Sequence, residues 1–265
     1  MLPYPEIDPV LIQIGPLQVR WYGLMYVLGF SASYLLVRQQ IKRYRLHRLA
    51  DSFENLNLVL ILGLVLGARL GYVFFYNPGY YLANPLEIPA TWQGGMSFHG
   101  ALLGLLLGGY LYCRRAELDF LQSADVYIVT TPIGLGLGRL GNFINGELFG
   151  RVSDMPWAMV FPGGGPLPRH PSQLYEGLLE GVALFIILWT AKSRYWQHQW
   201  RRGSLLALFL ICYGIFRVAA EFFREPDPQL GFLFGQLTMG QLLSSLMVGA
   251  GLLLLAAKPA PAPRS

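Results

Sequence analysis

The sequence predicts an all-α polytopic membrane protein, with seven transmembrane helices and outer-side interfacial arms and loops. Three observations carry that expectation. The 265 residues are 54% hydrophobic and only 13% charged, where a soluble domain carries roughly 25% charged residues, and mean hydropathy is +0.41. Several uncharged runs reach or approach the about 20 residues that a helix needs to cross a bilayer. Basic residues gather between alternate runs, as cytoplasmic loops do.

In chain order, residues 1–20 are proline-rich, carry Glu6 and Asp8, and read as an N-terminal outer arm. They lack a basic start followed by an apolar run, so no cleavable signal peptide is expected. Spans are expected at 21–37, at 56–76 with Arg69 inside, and from about 98 to just before Arg114. A fourth is expected at 124–145, a fifth at 175–191, a sixth at 204–223 and a seventh within 229–257. Residues 77–97 are rich in Pro, Gly and aromatics and suit an outer interfacial segment. Residues 150–170 read as a loop and 258–265 as a short cytoplasmic tail. Without an internal repeat, the chain reads as a single membrane-embedded domain, 1–265.

Charge fixes the expected orientation. The segments after spans one, three, five and seven hold thirteen of the twenty Lys and Arg residues but five of the fifteen acids, Asp125 included. That side is cytoplasmic by the positive-inside rule, which puts the N-terminus outside and the C-terminus inside. The seven basic residues left over are all arginine: Arg20, Arg69, Arg139, Arg151, Arg169, Arg217 and Arg224. Arginine's planar fork suits two-point binding of phosphate or carboxylate and stays charged when partly desolvated. At about 1.5 Å per residue, Arg139 and Arg217 lie roughly 20–24 Å from the inner ends of their spans, in the outer-leaflet half of the bilayer.

The densest polar stretch is GRLGNFINGELFGR, residues 138–151, which carries Arg139, Asn142, Asn145, Glu147, Gly150 and Arg151 directly after an apolar run. Charged residues at such depth usually face a cavity or a partner, and glycines admit close approach. The bland alternative is a glycine-rich helix end. An ion pair of Arg139 with a nearby glutamate such as Glu147 would be a purely structural role.

Other motifs fall on the same side. WYGLMY places Tyr22 at the outer end of span one, GGMSFHG places His99 in the first turn of span three, and RHPSQLYEG brings His170, Ser172, Gln173, Tyr175 and Glu176 to the start of span five. FRVAAEFFREPD carries Arg217 and Glu221 four residues apart, on one helix face; a simple intrahelical pair is the plain reading. His99 suits either a helix cap or chemistry. Trp21 and Trp92 suit an aromatic belt, and Ser172 lacks a nucleophile-elbow motif. Cys113 and Cys212 read as small apolar core residues. With no CxxC, HExxH or P-loop, the residues imply no metal site. They reach as far as a phospholipid-handling outer-leaflet enzyme, an anion transporter or a lipid-binding scaffold.

Taken together, WYGLMY, GGMSFHG, GRLGNFINGELFGR, RHPSQLYEG and FRVAAEFFREPD closely resemble the bacterial phosphatidylglycerol–prolipoprotein diacylglyceryl transferases, over about residues 6–250. The resemblance implies a seven-span inner-membrane enzyme that moves diacylglycerol from phosphatidylglycerol to the lipobox cysteine of a preprolipoprotein, leaving glycerol phosphate. It implies no metal or cofactor, and partners limited to that lipid, the lipobox peptide and the bilayer, with no nucleic acid. The family's essential residues match at Tyr22, His99, Arg139, Asn142, Gly150 and Arg217, with Glu147 and Glu221 in matching motifs. On this basis His99, Arg139, Arg217 and Tyr22 are the expected catalytic group. Arg139, Asn142, Asn145, Glu147, Gly150, Arg217 and Glu221 are the expected lipid-binding group, with His99 or Glu147 as base for the thiol. The segment FPGGGPLP before RHPSQ is shorter than in some members.

Overall fold

The computed structural model describes residues 2–15, 17–225 and 237–257. The expected tail at 258–265, and part of the stretch expected to hold the seventh span, lie outside the described residues. A hairpin of β1 (Val10–Ile14) and β2 (Leu17–Arg20) precedes nine helices among the described residues. These are α1 (Trp21–Arg43), α2 (His47–Phe75), α3 (Pro78–Ala83), α4 (Phe98–Arg115), α5 (Phe120–Ile128), α6 (Thr131–Ile144), α7 (Ser172–Gln197), α8 (Ser204–Glu221) and α9 (Met239–Ala256). The chain forms two compact units: residues 1–40 with 124–265, and residues 41–123.

Among the described residues four helices, α2, α7, α8 and α9, are long and apolar enough by themselves to cross a membrane. Each has one face whose large side chains point outward; on α9 Leu246, Leu252 and Leu253 are all more than half exposed. An outward apolar face of that kind needs lipid, so this is a helical membrane protein.

Several expected boundaries shift for physical reasons. α2 starts at His47 rather than near residue 56, because its first turns tolerate Arg48, Asp51 and Glu54 as a polar end. The continuous fourth span expected at 124–145 is two helices. Pro132 lacks an amide hydrogen and crowds the preceding carbonyls, so α5 stops at Ile128 and α6 starts afresh at Thr131. The Thr130 hydroxyl fills the gap, donating to the Tyr127 carbonyl (2.8 Å) and meeting Ser33 Oγ (2.7 Å). Asp125, expected in a loop, is fully buried in α5; its carboxylate accepts from the backbone amides of Gly203 (2.6 Å) and Leu206 (2.8 Å), capping α8. The expected arm at 1–20 holds the hairpin, and Tyr4 anchors it by donating to the Phe143 carbonyl (2.7 Å).

In the unit of residues 41–123, α2 and α4 pack through glycines. Gly63, Gly67 and Gly71 face Gly100 and Gly104; a Cβ on Gly71 would lie 2.7 Å from the Gly100 Cα, and one on Gly67 2.8 Å from the Gly104 Cα. Lipid is as apolar as leucine, so such helices associate by close packing rather than by the hydrophobic effect. Cys113 is buried in this unit. In the other unit, Val129, Leu184, Leu188, Tyr195, Leu205 and Phe209 form a core joining the lower half of α7 to α8, with Cys212 packed against it.

Candidate active site

Gly177–Ala183, inside α7, is a π-helical segment, a feature often found at functional sites. Gly181 there lets α6 in to backbone contact: its Cβ would sit 2.7 Å from the Gly136 Cα. Arg139 lies one turn further along α6. Its Nη2 reaches Glu176 at 2.9 Å and Glu180 at 3.5 Å, and both glutamates are fully buried. Arg217 of α8 comes to the same carboxylates, at 2.5 Å from Glu176 and 3.7 Å from Glu180. Arg224 joins at 3.4 Å from Glu176. Arg217 also pairs with Glu221, whose other oxygen accepts from the Thr238 hydroxyl at 2.7 Å.

Three arginines therefore meet three glutamates at the ends of three segments. Buried ions need such mutual compensation, so the plain intrahelical reading of Arg217 and Glu221 is only part of a larger network. Among the described residues, every bond that Arg139 makes runs through Nη2, and its side chain keeps 18% exposure. The Nε and Nη1 edge is left for another acceptor.

Glu147, named above as a nearby partner for Arg139, does not fill that role. Its Oε1 accepts from the amides of Asn142 (2.8 Å) and Asn145 (3.2 Å), and its backbone carbonyl from Gln173 (2.6 Å). Its carboxylate is exposed while Asn142 is buried. Tyr22 closes this corner: its ring packs on Gly141, where a Cβ would lie 2.8 Å from Cδ2. Its hydroxyl meets that of Tyr26 (3.0 Å). Gly150 bridges to Arg224, donating its amide to the His170 carbonyl (2.8 Å). A Cβ there would lie 2.7 Å from His170 Cβ, so packing alone already demands glycine.

His99 belongs to the other unit. It is exposed, in the first turn of α4, and it is not the cap: Ser97 Oγ accepts from the Gly100 amide at 3.2 Å. Arg69, one of the seven arginines outside the cytoplasmic segments, is committed elsewhere. It is 3% exposed and donates to the carbonyls of Ile88 (2.6 Å), Gly94 (2.6 Å), Gly95 (3.1 Å) and Glu87 (2.8 Å). Arg169 latches the 150–170 loop through the Gly164 carbonyl (2.9 Å) and Glu225 (3.1 Å). Residue-by-residue reading missed Glu180; the signal was a second carboxylate, four residues after Glu176, in an apolar run with no cation of its own.

A groove of about 580 Å³ runs between α6 and the π segment, lined by Pro132, Gly136, Leu140, Leu174, Leu178 and Val182 among other apolar groups. Among the described residues, Gln173 is its one polar side chain. A lipid chain is the kind of ligand such a wall accepts.

The family model described as prolipoprotein diacylglyceryl transferase matches residues 9–257. Among curated proteins, the chain is similar to the phosphatidylglycerol–prolipoprotein diacylglyceryl transferase of Desulfotalea psychrophila, 60% identical over 252 residues, covering 94% of this chain and 93% of that protein. The proteins of that name from Geobacter sulfurreducens and Pseudomonas aeruginosa strain LESB58 are 52% and 53% identical, over 94% and 96% of this chain and 94% and 95% of their own lengths.

Proposed function

This chain belongs to the prolipoprotein diacylglyceryl transferase family, and from that premise we propose that it transfers the diacylglyceryl group of phosphatidylglycerol to the lipobox cysteine of preprolipoproteins. The observation that carries this reading is an arginine with an open edge, Arg139, set beside an apolar groove. A phospholipid needs both: a fork for its phosphate and a wall for its chains.

In the proposed step the cysteine S–H bond and a glycerol C–O bond break, and a C–S bond forms. The phosphate leaves as glycerol phosphate, with its new charge against Arg139 and Arg217. Asn142 and Tyr22 orient the headgroup, Asn145, Glu147 and Gly150 shape the corner beneath it, and Glu221 holds Arg217. An ordinary thiol has a pKa of about 8.5 and attacks as thiolate. We assign its proton to His99 on the strength of the motif match; Glu147 is the competing base. Nothing in this scheme calls on a metal or cofactor.

We further propose a single membrane-embedded domain of seven spans: α1, α2, α4, the broken pair α5 and α6, α7, α8 and α9. The asymmetry of lysine and arginine supports the bacterial cytoplasmic membrane with the N-terminus outside. In a background with Cys113 and Cys212 changed to serine, Glu6→Cys should be labelled only from outside and Ser265→Cys only from the cytoplasm. The activity itself is tested by incubating purified protein with phosphatidylglycerol and a lipobox peptide, then weighing the peptide. A diacylglyceryl gain on cysteine is expected; no gain with folded protein refutes the assignment and favours a transporter or scaffold.

A further inference from the structure

Among the described residues, Glu176 is the one carboxylate that all three clustered arginines share. It is fully buried, at the last residue before the π segment. Its position is doubly constrained. On one side the Gly136–Gly181 backbone contact sets the distance from α7 to α6, and so to Arg139. On the other, Arg217 and Arg224 approach from α8 and the residues just after it. Three guanidinium groups so close together repel each other, and a guanidinium on a flexible stem responds by moving. Glu176 counters that repulsion at the point where it is greatest. It holds Arg139 by a single nitrogen, which leaves Nε and Nη1 without a partner among the described residues, on a side chain that keeps 18% exposure. Glu180 adds a second, longer contact to the same nitrogen, and its Oε1 makes no hydrogen bond among the described residues. The weaker partner cannot replace the stronger.

We infer that Glu176 is a positioning residue for the transfer: it fixes Arg139 and Arg217 as a rigid pair, so that the open edge of Arg139 meets the phosphate as it leaves. The inference rests on the transferase reading above. A purely charge-balancing role makes the opposite forecast, since removing one negative charge would then draw the anionic lipid in more tightly.

The variants Glu176→Gln and Glu176→Asp separate the two, measured as kcat and KM for phosphatidylglycerol at fixed lipobox peptide, with a melting curve in the same detergent. Loss of a preorganised donor to a leaving oxyanion lowers kcat by about 10²–10³. Glu176→Gln should show a loss of that order with KM little changed, and Glu176→Asp, which keeps the charge, should recover part of it. Near-normal kcat in Glu176→Gln overturns the positioning role, whether KM falls or only the melting temperature does. If Glu176→Gln does not fold, Glu176→Gln with Arg224→Gln removes one charge of each sign. Its kcat should stay low because Arg139 still lacks its anchor, and wild-type kcat in that double variant overturns the inference. The wild-type control distinguishes the two levels: no transfer by the unaltered chain removes the transferase reading and this inference together, whereas transfer by wild type and undiminished transfer by Glu176→Gln removes only the inference.

Discussion

Arg69 and Arg139 look alike in the sequence, each a lone arginine inside an apolar helical run. They do different work. In the unit of residues 41–123, Arg69 has every arm of its fork occupied by backbone carbonyls of the 77–97 segment, and its guanidinium carbon lies 5.1 Å from the centre of the Tyr81 ring. Carbonyls satisfy the donors without cancelling the charge, and they leave nothing to offer a ligand. In the other unit Arg139 is held by carboxylates through one nitrogen only. The first arrangement ties a loop to a helix; the second anchors a charge and keeps an edge open. What separates a structural arginine from a binding one is therefore the identity of its partners and the number of donors left over, not its depth.

The largest expected effect comes from the unit that this contrast makes structural. If His99 takes the thiol proton, His99→Gln should slow transfer by about 10²–10⁴, the usual contribution of general acid–base catalysis. The deficit should shrink as pH rises and the thiol ionises unaided. A deficit that does not vary with pH in single-turnover assays would assign His99 an orienting part and return the base to Glu147.

Next is Arg139→Lys, which keeps the charge but not the planar fork. Single-turnover transfer at saturating phosphatidylglycerol should fall by about 10²–10³, or roughly 2.7–4 kcal/mol, with little change in melting temperature. Near-normal turnover would break the contrast with Arg69 outright. Arg69→Met should do the reverse. Each buried carbonyl that it leaves without a partner costs about 1–3 kcal/mol, so the melting temperature should drop by several degrees while the folded fraction turns over normally. A selective loss of turnover would instead give Arg69 a part in handling the lipid.

The smallest effect sharpens the boundary of the site. His170, in the loop before α7, has its Nδ1 3.1 Å from the Tyr175 hydroxyl and its ring against Phe223. Burial pushes its pKa down, with Asp154 opposing. A folded-state pKa below the ordinary value means that the unfolded chain takes up the proton first as pH falls. The contribution is present above about pH 6.5 and is lost as pH drops through the folded value. His170→Gln should flatten the acid side of a melting-temperature profile and leave its alkaline side unmoved; an unchanged acid slope would show that His170 does not titrate on unfolding.

Much of this was legible in the chain. Trp21 opens α1 where the aromatic run begins, and Thr238 with Gln241 forms a capping box that starts α9 inside the expected run. The long apolar stretches put α7 and α8 nearly in place because apolar composition and length are local signals. Pro132 was equally local, and its break in the fourth span could have been taken from the sequence. The partners of Arg69 were not legible, because a carbonyl carries no sequence signal: any residues at 87–95 with that backbone would serve. The Glu176–Glu180 pair was half legible. Two like charges in an apolar helix announce that cations must come from elsewhere, but which of seven arginines come is decided by helix packing.

The π segment of α7 bears on how such a helix can change over time. It accommodates one residue more than a regular α-helix would over the same rise. Each residue advances an α-helix by about 100°, so an extra residue in a regular α-helix would turn its two halves relative to each other by that angle; the wider π turns absorb the extra residue instead and leave the halves of α7 facing much as they would without it. The half beginning at Leu184 is locked by its core with Leu205 and Phe209, and the other half is locked by Glu176 and its arginines. Neither can rotate without losing its neighbours. The length change between Glu176 and Leu184 that keeps both sets of neighbours is therefore loss of the single extra residue, which restores a regular α-helix; a further insertion would turn one half away from its partners.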